Sequence, residues 1–335
     1  MQASAEIFQM LLAYKKSALL RTGIELGVFG RLAQRPATAD EVADDLELAP
    51  RGSRLLLNAL VAIDILEEDG GVYRLAPLAA RTLDPAQDAY LGELSRILTS
   101  RWEWEAMGRL SEAVVRGGPV IAENAEQLDY GYYEEFATHA SAVTKPTVAL
   151  MAETVRGWAT NQTRLNVLDL ACGHGMYGFT LAQAHPHARV WSVDNARVLE
   201  IAQKHAARAG VADRVHTMAG DMFSLDLGGP YDLVLITNVL HHHTPERAEE
   251  LLRRAAAVTA AGGKIVLVGI TADDGPIQES PEAHLFSLLM LVWTEHGEAH
   301  SVDTYRRILR TAGYMNMRVH RQPTIPMRVI VAERT

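Results

Sequence analysis

Thiols are all but absent: one cysteine, Cys172, stands in 335 residues. That excludes an internal disulfide framework and any multi-thiolate metal site within one chain. Basic residues are outnumbered, 32 Lys and Arg against 41 Asp and Glu, for a formal charge of −9. A dedicated nucleic-acid binder usually shows the opposite balance. No stretch reaches the roughly 18 uninterrupted apolar residues of a transmembrane helix, and the first residues show no basic leader or apolar run of a secretory signal. What is present is ample core material, with 48% hydrophobic and 22% charged residues. At about 150 residues per domain, the length suggests two domains. The composition predicts a soluble, cytoplasmic protein with neither nucleic acid nor membrane as partner.

Residues 3–32 are helical in pattern, with Phe8, Leu11, Leu12, Leu19, Leu20, Ile24 and Val28 mostly at three-, four- and seven-residue spacings. Thr38 and Glu41 have the spacing of a capping box ahead of a short helix. A second helix follows Pro50, its apolar face built from Leu55, Leu56, Leu57, Leu60 and Ile63. An acidic turn over residues 67–71 leads into the strand-like Val72 to Leu75. Helices followed by a small β-wing outline a winged-helix domain over residues 1–100. Residues 1–85 hold 9 Lys and Arg against 12 Asp and Glu, and phosphate contact normally needs clustered basic side chains. A packing or dimerisation module is therefore preferred, with a winged-helix transcriptional regulator as the non-enzyme alternative.

Residues 101–160 stay helical and read as a linker that contributes to a pocket. The chain has only 6% aromatic residues, yet they concentrate at 101–107 and 130–136. Trp102 and Tyr133, with Met290 and Trp293 further on, are candidate substrate contacts. From 161 to 335 the texture becomes alternating strands and helices, with strands over 165–170, 189–193, 213–218, 231–236 and 264–269. A helix over 245–260 starts at the cap Thr244 and ends at Gly262 and Gly263. Helices over 281–293 and 302–311 and two strands, near 317–321 and 327–332, complete the chain. This alternation predicts a parallel, doubly wound α/β sheet, a Rossmann-like arrangement.

The first of these strands runs into Gly173, Gly175 and Gly178, a G-x-G-x-x-G turn. Such a turn brings backbone close to a ligand, and the following helix start offers N–H groups to an anionic group. Asp194 lies about 20 residues on, where an acid accepts hydrogen bonds from ribose hydroxyls. NAD and S-adenosylmethionine both satisfy these features. Further residues separate them. Asp169 precedes Cys172 and Gly173 in a D-x-x-C-G-x-G pattern, Asp221, Met222 and Phe223 follow the third strand, and Asn238 follows the fourth. With these motifs the sequence resembles the class I S-adenosylmethionine-dependent methyltransferases, and more narrowly the two-domain small-molecule O-methyltransferases with an N-terminal winged-helix dimerisation domain. The resemblance implies a homodimer acting in secondary metabolism on a small-molecule substrate. It places Gly173 against the methionine part of S-adenosylmethionine, Asp194 on the ribose, Asp221 and Met222 beside the adenine, and Asn238 near the sulfonium end.

In that family a histidine after the fourth strand deprotonates the substrate hydroxyl, usually within a His-Asp pair. The matching residue is His241, followed here by His242 rather than Asp. A glutamate that orients the base in the family matches Ala299. His241 is thus the expected catalytic base. An alternative is a divalent metal, iron or zinc, held by His241, His296 and His300, since imidazoles with a carboxylate form an ordinary ligand set. Such a site would serve metal-assisted C-methylation of a keto acid or related small molecule.

Overall fold

Helix formation at the start of the chain is interrupted at Gly27. The single helix expected over residues 3–32 is two, α1 (Gln2–Glu25) and α2 (Val28–Gln34), because Gly27 takes a left-handed φ of 74° between them. After the short β1 (Ala37–Thr38), α3 (Ala39–Asp45) opens on the reciprocal cap that the sequence spells. The Thr38 hydroxyl accepts from the Glu41 N–H at 3.2 Å and the Glu41 carboxylate accepts from the Thr38 N–H at 2.8 Å, so two otherwise unpaired helix-end donors are satisfied. α4 (Pro50–Val61), β2 (Leu66–Asp69) and β3 (Val72–Leu75) follow, and the three strands pair antiparallel in the order β1-β3-β2. Phe29, Leu32, Val42, Leu57, Leu60 and Leu66 form the core of this unit. α5 (Pro77–Thr82) and α6 (Glu93–Leu98) complete it.

The computed structural model describes residues 2–125, 127, 129–323 and 326–335. The chain divides into Met1–Arg101 and Trp102–Thr335. α7 (Arg101–Gly108) starts at the boundary, and α8 (Leu110–Arg116), α9 (Gly131–His139) and α10 (Ser141–Thr160) follow it ahead of the sheet of the second unit. Strands and helices then alternate: β4 (Leu165–Leu170), α11 (Met176–Ala184), β5 (Ala188–Asp194), α12 (Ala196–Arg208), β6 (Val215–Ala219), β7 (Tyr231–Thr237), α13 (Pro245–Val258) and β8 (Thr259–Ile270). α14 (Pro281–Trp293), α15 (Val302–Thr311), β9 (Tyr314–His320) and β10 (Met327–Arg334) end the chain. The seven strands lie in the order β6-β5-β4-β7-β8-β10-β9. The first five are parallel, and β10 runs antiparallel to both of its neighbours.

Both faces are covered, which is why β4 and β7 are buried along most of their length. Val155, Phe179 and Leu199 of α10, α11 and α12 pack on one face, and Leu251, Leu252, Ile308 and Leu309 of α13 and α15 on the other. The chain moves outward from β4 to β5 and β6, then returns to place β7 on the opposite side of β4. That reversal opens a crevice at the C-terminal strand ends, where open α/β sheets bind ligands.

Two boundaries differ from the sequence reading. A 3₁₀ turn over Ala212–Arg214 precedes β6, so the third strand starts at Val215 rather than 213. Gly262 and Gly263 do not end α13; β8 begins before them, at Thr259. Between the pairs Tyr231–Thr259 and Leu233–Lys264 the single residue Asp232 stands against the four of 260–263, so the glycines occupy a bulge. Among the described residues no helix is long and apolar enough to cross a membrane.

Candidate active site

Four strand ends build the site. Gly173 follows β4, Asp194 closes β5, Gly220 and Asp221 follow β6, and Asn238 follows β7; all five line one cavity of about 580 Å³. The glycine turn is shaped by close approach. A Cβ on Gly178 would stand 2.7 Å from Val190 Cγ1 and 3.1 Å from Asp169 Oδ2, so only glycine lets α11 settle this tightly on the sheet. Gly175 caps α11 at φ 73°, a left-handed conformation that L side chains rarely adopt.

Asp194 is fixed by backbone donors: Gly173 N–H reaches Oδ2 at 2.9 Å and Asn195 N–H reaches Oδ1 at 2.8 Å. Burial raises its pKa, and these two bonds partly oppose that. Each oxygen keeps a further acceptor direction, as binding a pair of vicinal hydroxyls requires. Asp221 accepts from Phe223 N–H at 2.9 Å. Phe223 carries the Arg247 guanidinium 3.7 Å above its ring centroid, with the edge of the ring pair to His243 at 5.1 Å. Met222, Phe223, Arg247 and His243 all line the cavity, giving it an apolar and cationic rim suited to a flat heteroaromatic ring. The Tyr177 hydroxyl, also in the wall, is buried beside the Asn238 side chain, which interacts with it.

The O-methyltransferase domain profile matches residues 131–315, and the O-methyltransferase dimerisation domain profile matches residues 8–84. The chain belongs to the O-methyltransferase family. This O-methyltransferase is similar to the 3-hydroxy-5-methyl-1-naphthoate 3-O-methyltransferase of Streptomyces sahachiroi, 28% identical over 91% of this chain and 88% of that one. It is also similar to a crystal structure of a candidate O-methyltransferase from Nostoc punctiforme, with 32% identity, a TM-score of 0.90 and coverage of 98% and 99%. Human N-acetylserotonin methyltransferase in complex with S-adenosylmethionine shares the fold at 23% identity and a TM-score of 0.83, over 100% and 98% of the two chains. The protein is an S-adenosylmethionine-dependent methyltransferase of small molecules. Its cavity fits that cofactor: Asp194 offers two unfilled acceptor directions for the ribose, and Met222, Phe223 and Arg247 frame a flat base.

Not every expected contact of the O-methyltransferase reaches the wall. Asp169 lies behind the glycine turn, fully buried, with Oδ2 accepting from Gly178 N–H at 3.3 Å and Oδ1 without a partner among the described residues. Burial, with Asp194 nearby, pushes its pKa well above the usual carboxylate range. Gly175 also sits outside the lining. Of the expected substrate contacts, Tyr133 lines the cavity, whereas Trp102, Met290 and Trp293 do not. They stand in an aromatic cluster, Trp102 at 6.1 Å from Tyr132 and Tyr132 at 4.6 Å from Trp293, with Met290 1% exposed. Phe136, His174, Tyr177 and Arg247 line the cavity without having been singled out. Phe136 belongs to the aromatic run at 130–136, and His174 and Tyr177 lie within the glycine turn, whereas Arg247 carries no such signal.

The histidines separate by position. His242, His243 and His296 line the cavity, whereas His241 does not; it is 5% exposed, with its ring edge-on to Phe286 at 4.7 Å. Phe286 packs with Ala272, Ala283 and Ala299, so an apolar contact occupies the surroundings where the family's glutamate would stand. Burial, reinforced by neighbouring imidazoles and, for His243, first by the Arg247 charge, holds His241 well below the usual histidine range, His242 at about 3 and His243 at about 4. All three are neutral near pH 7. The suggested metal set does not assemble: among the described residues no group of three or more His, Cys, Asp or Glu is placed to hold a metal ion. His300 Nε2 is spent on the His243 carbonyl at 2.9 Å, and a nitrogen donating its proton has no lone pair for a metal.

Proposed function

We propose that the chain, as a homodimer, transfers a methyl group from S-adenosylmethionine to a hydroxyl on a small aromatic molecule. The observation that carries this reading is a single cavity lined both by Asp194, Asp221 and Asn238 and by the rings of Tyr133, Phe136 and His242. The first set suits the cofactor, and flat rings suit an aromatic acceptor. The relative that methylates a naphthoate hydroxyl supports the same substrate class. When bound, the cofactor supplies an already activated methyl group, so the protein's work is to hold acceptor and methyl in line and to take a proton. Dimerisation is supported by the family of the N-terminal unit and by α1, which exposes Ile7, Phe8, Met10, Leu11 and Tyr14 at 58–70% of their surface.

His241 takes the hydroxyl proton in this reading. It holds the family position after β7, it is neutral, and among the described residues neither ring nitrogen has a hydrogen-bond partner. One observation favours a second reading, with His242 as the base. His242 lines the cavity, and its Nδ1 lies 3.5 Å from the Tyr133 hydroxyl, which donates to the Ala125 carbonyl at 2.7 Å. With the Tyr133 proton directed at Ala125, a proton on His242 Nδ1 would leave Nε2 as the basic nitrogen. His241→Ala and His242→Ala, assayed on one accepted hydroxyaromatic, separate the two. Loss of the base costs roughly 10²–10⁴ in turnover, with S-adenosylhomocysteine affinity unchanged. Full activity in both variants would overturn proton transfer by this cluster.

A further inference from the structure

Behind the glycine turn lies a hydrogen-bonded chain that the methyl-transfer machinery above does not use. His174 occupies the turn between Gly173 and Gly175 and is 2% exposed. Its Nδ1 accepts from the Met176 N–H at 3.0 Å, and its Nε2 lies 2.9 Å from Thr144 Oγ1 on α10. The Thr144 hydroxyl in turn donates to the Ala140 carbonyl at 2.9 Å. These directions admit one assignment. An amide N–H can only donate, so Nδ1 carries a lone pair. The Thr144 proton is spent on Ala140, so Nε2–H must donate to Thr144. His174 is therefore a neutral Nε2–H tautomer linking the first N–H of α11 to helix α10. Phe136 of α9 stacks on the other side, ring centroids 6.1 Å apart at 16°. Both Phe136 and His174 line the cavity.

We propose that His174 and Thr144 form a positioning strut that holds the cofactor's glycine turn in register with α10 and, through the stacked Phe136, with the cavity-lining helix α9. Burial supports it: the pKa of His174 is pushed down to about 3, so the imidazole keeps one tautomer across the working pH range. The strut acts through the backbone of Gly173 to Met176, and neither residue serves as the base. It rests on the cofactor assignment and is independent of the choice between His241 and His242.

Calorimetric titration with S-adenosylhomocysteine tests it. Thr144→Val keeps the shape but cannot accept from Nε2–H, and is expected to weaken binding about tenfold, the scale of one buried donor left unpaired. Thr144→Ser, which restores the hydroxyl, is expected to bind like the wild type. His174→Asn keeps an acceptor near Nδ1 but loses the reach to Thr144, and should match Thr144→Val. The double variant should then be no worse than either single one, because both remove the same link. Additive losses, or wild-type affinity in a folded Thr144→Val, would overturn the strut. Failure of the wild type itself to bind would instead overturn the cofactor assignment. Nitrogen-15 spectra of the ligand-free protein decide independently of how the variants fold: the strut requires a neutral Nε2–H tautomer at pH 6, and a protonated ring or the Nδ1–H tautomer contradicts it.

Discussion

Acid should weaken the fold through His174 by an amount that the structure sets. The residue is 2% exposed, and its pKa lies at about 3 against an ordinary 6.5. A histidine whose folded pKa is below its unfolded one contributes stability in full above the unfolded value, and loses it as pH falls toward the folded value. The window therefore runs from about 6.5 down to about 3. Inside it the unfolded chain binds one more proton, and stability falls by about 1.4 kcal/mol per pH unit. Between pH 8 and pH 5 this amounts to about 2 kcal/mol from the one group, whatever the folded pKa is below 5. Other buried groups titrate in the same range. His242 and His243, also depressed, act in the same direction, whereas Asp169 and Glu103, the latter raised by burial to about 7, oppose it. The comparison that isolates His174 is with His174→Asn, which does not titrate. Urea unfolding of both proteins at a series of pH values should show the wild type losing about 2 kcal/mol more than the variant by pH 5. Parallel curves would refute a neutral, buried imidazole.

Two further outcomes follow from packing. Gly178→Ala places a methyl group 2.7 Å from Val190 Cγ1, and thermal unfolding should show a loss of roughly 1–3 kcal/mol from overpacking; an unchanged midpoint would mean that α11 sits less tightly on the sheet. Light scattering should give twice the chain mass for the wild type and the monomer mass for a double variant, Phe8→Glu with Leu11→Glu, which charges the exposed face of α1. A double variant that stays dimeric would move the interface elsewhere.

How much was legible depended on whether a feature is local. The capping box at Thr38, the glycine turn and the acid at Asp194 are set by backbone conformation and short spacing, and each is visible in a few residues of sequence. Phe136 and Arg247 reach the cavity only because α9 and α13 pack around the strand ends, whereas His174 is carried there by the glycine turn itself. No spacing in the sequence encodes that packing. Trp102 and Trp293 show the converse: aromatic character was evident, but the side chains stack in a cluster outside the cavity lining. The step from His241 to His242 is finer still, since one residue in the 3₁₀ turn after β7 decides which imidazole lines the cavity. The bulge at Gly262 and Gly263 was missed because paired glycines after a helical pattern read equally as its end.

The central claim is a cofactor site organised by Asp194. Calorimetry of the wild type with S-adenosylhomocysteine and with NAD, beside Asp194→Ala with S-adenosylhomocysteine, tests it most directly. Binding of S-adenosylhomocysteine without comparable binding of NAD is expected, together with a loss of about 2–3 kcal/mol in Asp194→Ala, since hydrogen bonds to a charged group are the stronger kind. Comparable NAD binding, or an Asp194→Ala variant with wild-type affinity, would contradict the account.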